Sequence, residues 1–421
     1  MLLDPYPGLA MQDNMTVIRS SAMLSALRFQ LLTVVPDTAD TGQVRTDVRS
    51  VSGPLRIVVA GGGTGGHLFP GIAIAREFRN RNSDSTVLFI NTGNPFEQKA
   101  LDNAGFEFKK ITATGIKGRG LWNQARALVQ LPRGIMESAR VLKNFSPDLI
   151  LGLGSYSAGP VVVAAWILKK PVVLHEQNII PGITNRILSH FADRIFISFE
   201  DTRRHLRSGS VQWTGNPVRR DILNCLNGRR AETGDISGKK SFTILVIGGS
   251  QGAHSINSAV VEALPLIKQK ASIRVIHQTG TADEGEVRQS YDQMKISATV
   301  RSFFDDMAPN YQAADLIICR AGATTVAEIT AIGKAALFIP YPFAADNHQA
   351  LNAAALVDHG AAEMILEKDL NGNVLADKIE AYIMNPQWLT EMAAKACLFG
   401  RPDAARNIVD DCYALVNLKN S

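Results

Sequence analysis

Residues 61–67 read Gly-Gly-Gly-Thr-Gly-Gly-His, with Pro70 close behind. Glycines let a backbone take positive φ and approach a ligand closely, and unpaired N–H groups at the start of a following helix attract negative oxygen. Gly61, Gly63 and Gly66 meet the G-x-G-x-x-G spacing of a dinucleotide loop. The next strand ends Ile90-Asn91-Thr92-Gly93, without the Asp or Glu that would hold an adenosine ribose, so a nicotinamide cofactor is disfavoured. A second glycine turn, Gly248-Gly249-Ser250-Gln251-Gly252-Ala253, has Ser250 at the middle glycine's place and offers its hydroxyl to a diphosphate. The run 320–328 (RAGATTVAE) is sharper. Gly322 and Ala323 permit close approach, and Thr324 and Thr325 combine hydroxyls with helix-start N–H groups. Glu328 follows about a turn later, where a carboxylate can accept both hydroxyls of a ribose; taken alone it reads rather as an ordinary early-helix acid favoured by the dipole.

Two further polar runs stand where strands should end. Asp346-Asn347-His348-Gln349 follows Pro340-Tyr341-Pro342-Phe343, whose prolines stop sheet pairing and leave groups suited to sugar hydroxyls, or simply to a helix cap. His175-Glu176-Gln177-Asn178 follows the apolar 172–174, and 152–160 (GLGSYSAGP) follows the strand before it. Four consecutive polar groups are poor core material and favour a cleft, although His175 reads as well as a satisfied structural histidine.

These runs need a scaffold that presents strand ends. Short apolar, β-branched runs at 55–60, 86–90, 148–152, 171–175 and 194–198 predict buried parallel strands, with helices such as 70–81 between them. A second series predicts strands at 242–247, 273–278, 299–303, 316–319 and 335–339, with helices at 255–269, 324–332 and 347–359. The fold class is α/β: two Rossmann-like doubly wound domains, 55–214 and 215–421, facing across a cleft and divided at the polar 214–220. Residues 1–54 lack this rhythm and read as a weakly ordered extension, within which 15–35 faintly resembles a targeting peptide or interfacial helix.

With 44 basic and 39 acidic side chains the net charge is +5, too small for a dedicated nucleic-acid binder. Four scattered cysteines without C-x-x-C spacing argue against a disulfide framework or a zinc site and suit a reducing compartment. No run reaches the roughly 18 to 20 apolar residues that a spanning helix needs.

The assembled set resembles the family of UDP-N-acetylglucosamine:N-acetylmuramyl-(pentapeptide) pyrophosphoryl-undecaprenol N-acetylglucosamine transferases, which turn lipid I into lipid II for peptidoglycan. The likeness runs from about residue 55 to near the C-terminus. It passes through GGGTGGHLFP at 61–70, LGLGSYSAGP at 151–160, VVLHEQN at 172–178, GNPVR at 215–219, GGSQGA at 248–253, FDDM at 304–307 and RAGATTVAEI at 320–329. It implies a glycosyltransferase of the GT-B type, whose first domain binds the lipid-linked acceptor and the membrane and whose second binds the nucleotide sugar. By position it implies Ser250 and Arg219 near diphosphate and Phe304 against uracil. Ala323, Thr324 and Thr325 would line the phosphates, continuing through Val326 and Ala327 to Glu328 at the ribose. Gln349 and Asn178 would meet the sugar, with Thr64, Gly65 and Gly66 close by. The family commonly has Ile at 304 and two glutamines at 348–349, so the base and sugar contacts are less defined here.

The implied reaction is an inverting transfer from UDP-N-acetylglucosamine to the muramyl C4 hydroxyl of lipid I. It needs a base for that hydroxyl and stabilisation of the departing diphosphate. His67 is the best-placed neutral base, with Glu176 in reserve; His67 reads nearly as well as a hydrogen-bonder that orients the acceptor. The chain has no Asp-x-Asp, so helix starts, backbone N–H groups and Arg219 are expected to carry the charge without a metal or other cofactor. A polyprenyl acceptor places the enzyme peripherally on the cytoplasmic face of the bacterial plasma membrane, with cell-wall assembly proteins as further conceivable partners. Lys109, Lys110, Lys117, Arg119, Arg126, Arg133, Arg140 and Lys143 interleave with Ile116, Leu121, Trp122, Leu128 and Ile135, as a surface for anionic lipid headgroups would, or as a solvated helix pair would. The rival readings are a transferase with another lipid acceptor, a UDP-sugar epimerase and a non-catalytic UDP-sugar sensor.

Overall fold

The structure, a computed structural model, describes residues 53–113, 121–206, 210–229, 241–249, 252–268 and 272–420, without the side chains of 121–129, 225–229 and 420. Apart from residues 53 and 54, the extension read over 1–54 lies outside the described residues, as do Ser250, Ile116, Lys117 and Arg119; so do the side chains of Leu121, Trp122, Arg126 and Leu128.

The first sheet contains β1 (Arg56–Ala60), β2 (Thr86–Asn91), β3 (Glu107–Lys110), β4 (Leu149–Gly152), β5 (Val172–Glu176), β6 (Arg194–Ile197) and β7 (Val211–Trp213). Its order is β3-β2-β1-β4-β5-β6-β7, and every pairing is parallel. The second contains β8 (Phe242–Ile247), β9 (Ile273–Gln278), β10 (Ser297–Arg301), β11 (Leu316–Cys319), β12 (Ala336–Phe338) and β13 (Glu363–Met364), in the order β10-β9-β8-β11-β12-β13. Both orders reverse direction beside their first strand. The crevices therefore open after β1 and β4 in one domain and after β8 and β11 in the other, where the glycine turns stand.

Continuous apolar strands arise because both faces of each sheet are covered. In β1, Ile57 and Val59 pack on one side with Leu68 and Phe78, while Val58 and Ala60 pack on the other with Ile150 and Val162. In β8, Ile244 and Val246 alternate in the same way with Leu245 and Ile247.

Several boundaries differ from the sequence reading for local reasons. The first helix runs Gly65–Arg81, beginning at the extended Thr64, so Gly65, Gly66 and His67 form its first turn and Pro70 lies inside it. The helix after β8, His254–Ala263, stops there because Pro265 turns the chain into a short 3₁₀ segment, Leu264–Leu266. Strand β10 starts at Ser297, as Lys295, at φ 54, ends helix Glu284–Met294 in a left-handed cap. The last helix, Ala404–Asn420, was read with the second domain. It instead buries Ile408, Val409, Cys412 and Tyr413 in the first domain's core, beside Phe78 and Ile57.

Candidate active site

The first glycine loop is held by protein groups. Glu97, fully buried, accepts from Gly63 N–H through Oε1 and from Gly93 N–H and Asn94 N–H through Oε2. A Cβ on Gly62 would stand 2.2 Å from Glu97 Oε1, so a larger residue there would have to displace the Glu97 carboxylate. A carboxylate thus occupies the place where a dinucleotide's pyrophosphate would sit in a G-x-G-x-x-G loop, and β2 ends at Asn91 without an acid. Both features speak against the nicotinamide reading. Gly61, at φ +125, would bring a Cβ within 2.7 Å of Gly154 O, so this loop and the one after β4 touch at the switch point.

His67 lines a cavity of about 200 Å³ with Glu176 and Asn178 from its own domain and Ala345, Asp346 and His348 from the other. Its Nδ1 lies 2.7 Å from Gln177 Oε1. Glu176 also lines this cavity, but its carboxylate is spent on the chain around it. Oε1 accepts from Asn178 N–H at 3.0 Å, and Oε2 accepts from Asn185 Nδ2 at 2.8 Å and Gly182 N–H at 3.2 Å. These bonds make Glu176 the organiser of residues 178–185. His175 is fully buried; burial lowers its pKa to about 4, against a weaker opposing hydrogen bond to Gly215 O, so the ring is neutral.

Across the cleft, helix Ala323–Ile332 starts at Gly322. Val326 N–H is the first to bond back into the helix, to Gly322 O at 2.9 Å, so the N–H groups of Ala323, Thr324 and Thr325 precede the helical ladder. The Thr324 hydroxyl donates to Gly66 O at 3.2 Å, joining the two helix starts. Ala323, Val326 and Ala327 line a separate cavity of about 310 Å³ behind this helix, with Trp213, Asn216 and Phe399. The run 323–328, expected to follow the donor from phosphates to ribose, therefore divides between two faces.

Glu328 is 5 % exposed and has protein partners on both oxygens: Arg219 Nε donates to Oε1 at 3.2 Å and the Tyr311 hydroxyl to Oε2 at 2.9 Å. Burial raises the Glu328 pKa, and Arg219 and Tyr311 offset this only in part. Burial works against the Arg219 charge, but Glu328, Asp221 and Tyr311 together outweigh it and hold the guanidinium pKa above its ordinary value. Arg219 also lies over the Phe69 ring at 5.1 Å, bridging the first domain's helix to the second's. Both residues stand near the cleft already engaged with each other. A carboxylate keeps further lone pairs for ligand hydroxyls.

Phe304 is half-buried, and its N–H donates to Gln278 Oε1 at 3.1 Å, while Gln278 Nε2 donates to Gly249 O at 3.2 Å. Gln278, missed in the sequence, thus ties the loop after β8 to that after β10; its signal was a polar residue closing an apolar strand. Gln349 Oε1 accepts from Tyr341 N–H at 3.0 Å, and His348 rather than Gln349 lines the His67 cavity. Asn352, wholly buried, was also missed as a site residue. Its Oδ1 accepts from Ile179 N–H at 3.2 Å and its Nδ2 reaches Asn178 Oδ1 at 3.2 Å and Ala321 O at 3.3 Å. It thereby anchors Asn178 across the cleft.

On the outer face of the first domain, Leu131 and Met136 are exposed on helix Leu121–Phe145, beside Arg133, Arg140 and Lys143, with Lys109 and Lys110 exposed on β3. Trp166 and Ile167 stand exposed at the end of helix Ser155–Ile167. No helix among the described residues is long and apolar enough to cross a membrane, and these residues contain no cluster of three or more His, Cys, Asp or Glu that could hold a metal ion.

Two parallel sheets of one topology, glycine turns at both switch points and a helix start facing the partner domain's loop define the GT-B architecture of two Rossmann-like domains. The chain belongs to glycosyltransferase family 28: residues 57–197 match the family's N-terminal domain and residues 243–408 its C-terminal domain. It is similar to the UDP-N-acetylglucosamine--N-acetylmuramyl-(pentapeptide) pyrophosphoryl-undecaprenol N-acetylglucosamine transferase of Syntrophus aciditrophicus (strain SB), at 46 % identity over 367 residues, 86 % of this chain and 99 % of that one. The protein of the same name from Geobacter sulfurreducens is 45 % identical over 361 residues, 86 % of this chain and 98 % of that one. Among solved structures, Acinetobacter baumannii MurG superposes with a TM-score of 0.67 at 31 % identity, covering 85 % of this chain and 98 % of that one. A UDP-GlcNAc 2-epimerase from Neisseria meningitidis, at 16 % identity and a TM-score of 0.61 over 87 % of this chain and 99 % of that one, shares the fold alone.

Proposed function

We propose that this glycosyltransferase moves N-acetylglucosamine from UDP-N-acetylglucosamine to the muramyl C4 hydroxyl of lipid I, forming lipid II with inversion at the anomeric carbon. The observation that carries the reading is the setting of His67. His67 lines a cavity walled by both domains, and the adjacent Gly66 is hydrogen-bonded to Thr324 at a helix start whose first N–H groups can meet a diphosphate. The relatives named for this reaction support the choice of donor and acceptor. In the proposed step the acceptor C4 oxygen attacks the anomeric carbon as its proton passes to His67, and the bond from that carbon to the diphosphate oxygen breaks. UDP leaves with the negative charge, facing the Ala323 helix start. The step calls for no divalent ion and no other cofactor. The enzyme meets its acceptor on the cytoplasmic face of the plasma membrane, through the basic and apolar surface around Leu131, Met136 and Arg140.

The experiment is product analysis with labelled UDP-N-acetylglucosamine and a lipid I analogue, with and without a chelator. Labelled disaccharide with a β linkage and undiminished turnover in chelator is expected. Transfer to diacylglycerol alone, epimerised donor, donor binding without UDP release, or chelator-sensitive turnover would each overturn the corresponding part of the reading.

A further inference from the structure

We propose that Gln177 and His175 are positioning residues that set the tautomer of His67, through hydrogen bonds anchored on backbone carbonyls and ending on the segment that joins the domains. The inference rests on the reading of His67 as the base and supplies what that reading lacks: a reason for the correct ring nitrogen to be unprotonated.

The Gln177 side chain is 1 % exposed, and its Nε2 lies 3.0 Å from Leu153 O and 3.2 Å from His175 O. Carbonyl oxygens only accept, so they must face the amide's NH₂, and the orientation of the amide is decided. Oε1 is then the atom 2.7 Å from His67 Nδ1. An amide oxygen cannot donate, so the His67 proton sits on Nδ1 and the lone pair sits on Nε2, the nitrogen left to take a proton. The same Nε2 of Gln177 lies 3.0 Å from His175 Nδ1; an amide nitrogen cannot accept, so that ring nitrogen carries the lone pair and shares one N–H with the neighbouring His175 O. The His175 proton is then on its own Nε2, 3.4 Å from Gly215 O. Gly215, at φ +86 and with a would-be Cβ 2.4 Å from Arg401 Cβ, lies where the two interdomain passages of the chain meet. Every donor in the series points the same way, so protonation or rotation of one ring disturbs the next. The other titratable groups around the His67 cavity are Glu176, Asp346 and His348.

The test is ¹⁵N-histidine NMR on the full-length protein, which reports the protonated nitrogen of each ring independently of turnover, together with steady-state kinetics. In the unmodified protein the neutral His67 ring should show a protonated Nδ1 and a bare Nε2. Gln177→Met should leave a mixture of tautomers and lower kcat by about 10- to 100-fold, with the KM for UDP-N-acetylglucosamine within about two-fold. Gln177→Glu keeps an acceptor toward His67 and should retain the Nδ1–H signal and more of the activity. A His67 ring protonated on Nε2 in the unmodified protein, or an unchanged tautomer in Gln177→Met, overturns the proposal. If Gln177→Met fails to fold, the unmodified protein and Gln177→Glu still decide it. Full activity in His67→Ala would instead end the reading of His67 as base, whatever the NMR shows.

Discussion

The Thr324 hydroxyl donates to the Gly66 carbonyl across the cleft at 3.2 Å, and that carbonyl is left out of its own helix because Pro70, four residues on, has no N–H to offer it. A proline in a helix interior, normally a cost, here leaves an acceptor at the face of the other domain. Pro70→Ala should restore the helical bond, leave the melting temperature unchanged or raised, and raise the KM for UDP-N-acetylglucosamine about three- to ten-fold. Thr324→Val should raise KM similarly without the gain in stability. Unchanged KM in both variants would show that the contact is idle.

Removing Arg219 strands a buried carboxylate. Arg219→Ala should cost about 3–5 kcal/mol at neutral pH, measured by urea unfolding. Since burial already raises the Glu328 pKa, acidification neutralises the orphaned group, and the penalty should shrink as pH falls. Tyr311→Phe removes one neutral donor and should cost about 1–3 kcal/mol. A penalty for Arg219→Ala that grows on acidification would contradict the pairing.

One buried histidine in each domain should make the fold acid-sensitive. Burial lowers His175 to about 4 and His277 to about 3, from 6.5 when unfolded. Below 6.5 the unfolded chain takes up protons that the folded chain refuses, so stability is full above 6.5 and is lost as pH falls toward these values. At pH 5 each histidine should account for about 2 kcal/mol of lost stability. Equal unfolding midpoints at pH 7.5 and 5 would refute it.

The last helix belongs energetically to the first domain. Val409→Asp places a charge against Phe78 and Ile57 and should destabilise that domain by about 4 kcal/mol or more. Leu418→Asp, on the exposed side of the same helix, should stay within about 0.5 kcal/mol. Differential scanning calorimetry separates the two, and comparable losses in both would mean that the helix is not docked as described.

What the chain's order of residues determined by itself was local: long β-branched runs cannot avoid being doubly covered strands, and glycine turns with helix starts behind them mark where those strands end. The central strands and the division into two α/β domains were legible for that reason. The edge strands β3, β7 and β13 were not, because EFKK, VQW and EM carry no apolar run and pair only since a neighbouring strand presents an open edge. Only the tertiary structure decided which acids were spent. Glu97 closes the first glycine loop, Glu176 ties down residues 178–185, and Glu328 takes Arg219 and Tyr311. Each choice depends on donors distant in sequence or folded back from a neighbouring loop, which spacing does not reveal. The same holds for Gln177 and Asn352, whose amides read as ordinary polar residues until burial and opposing carbonyls leave each a single orientation, and for the helix Ala404–Asn420, whose apolar face fits the core of the first domain, far upstream in the chain.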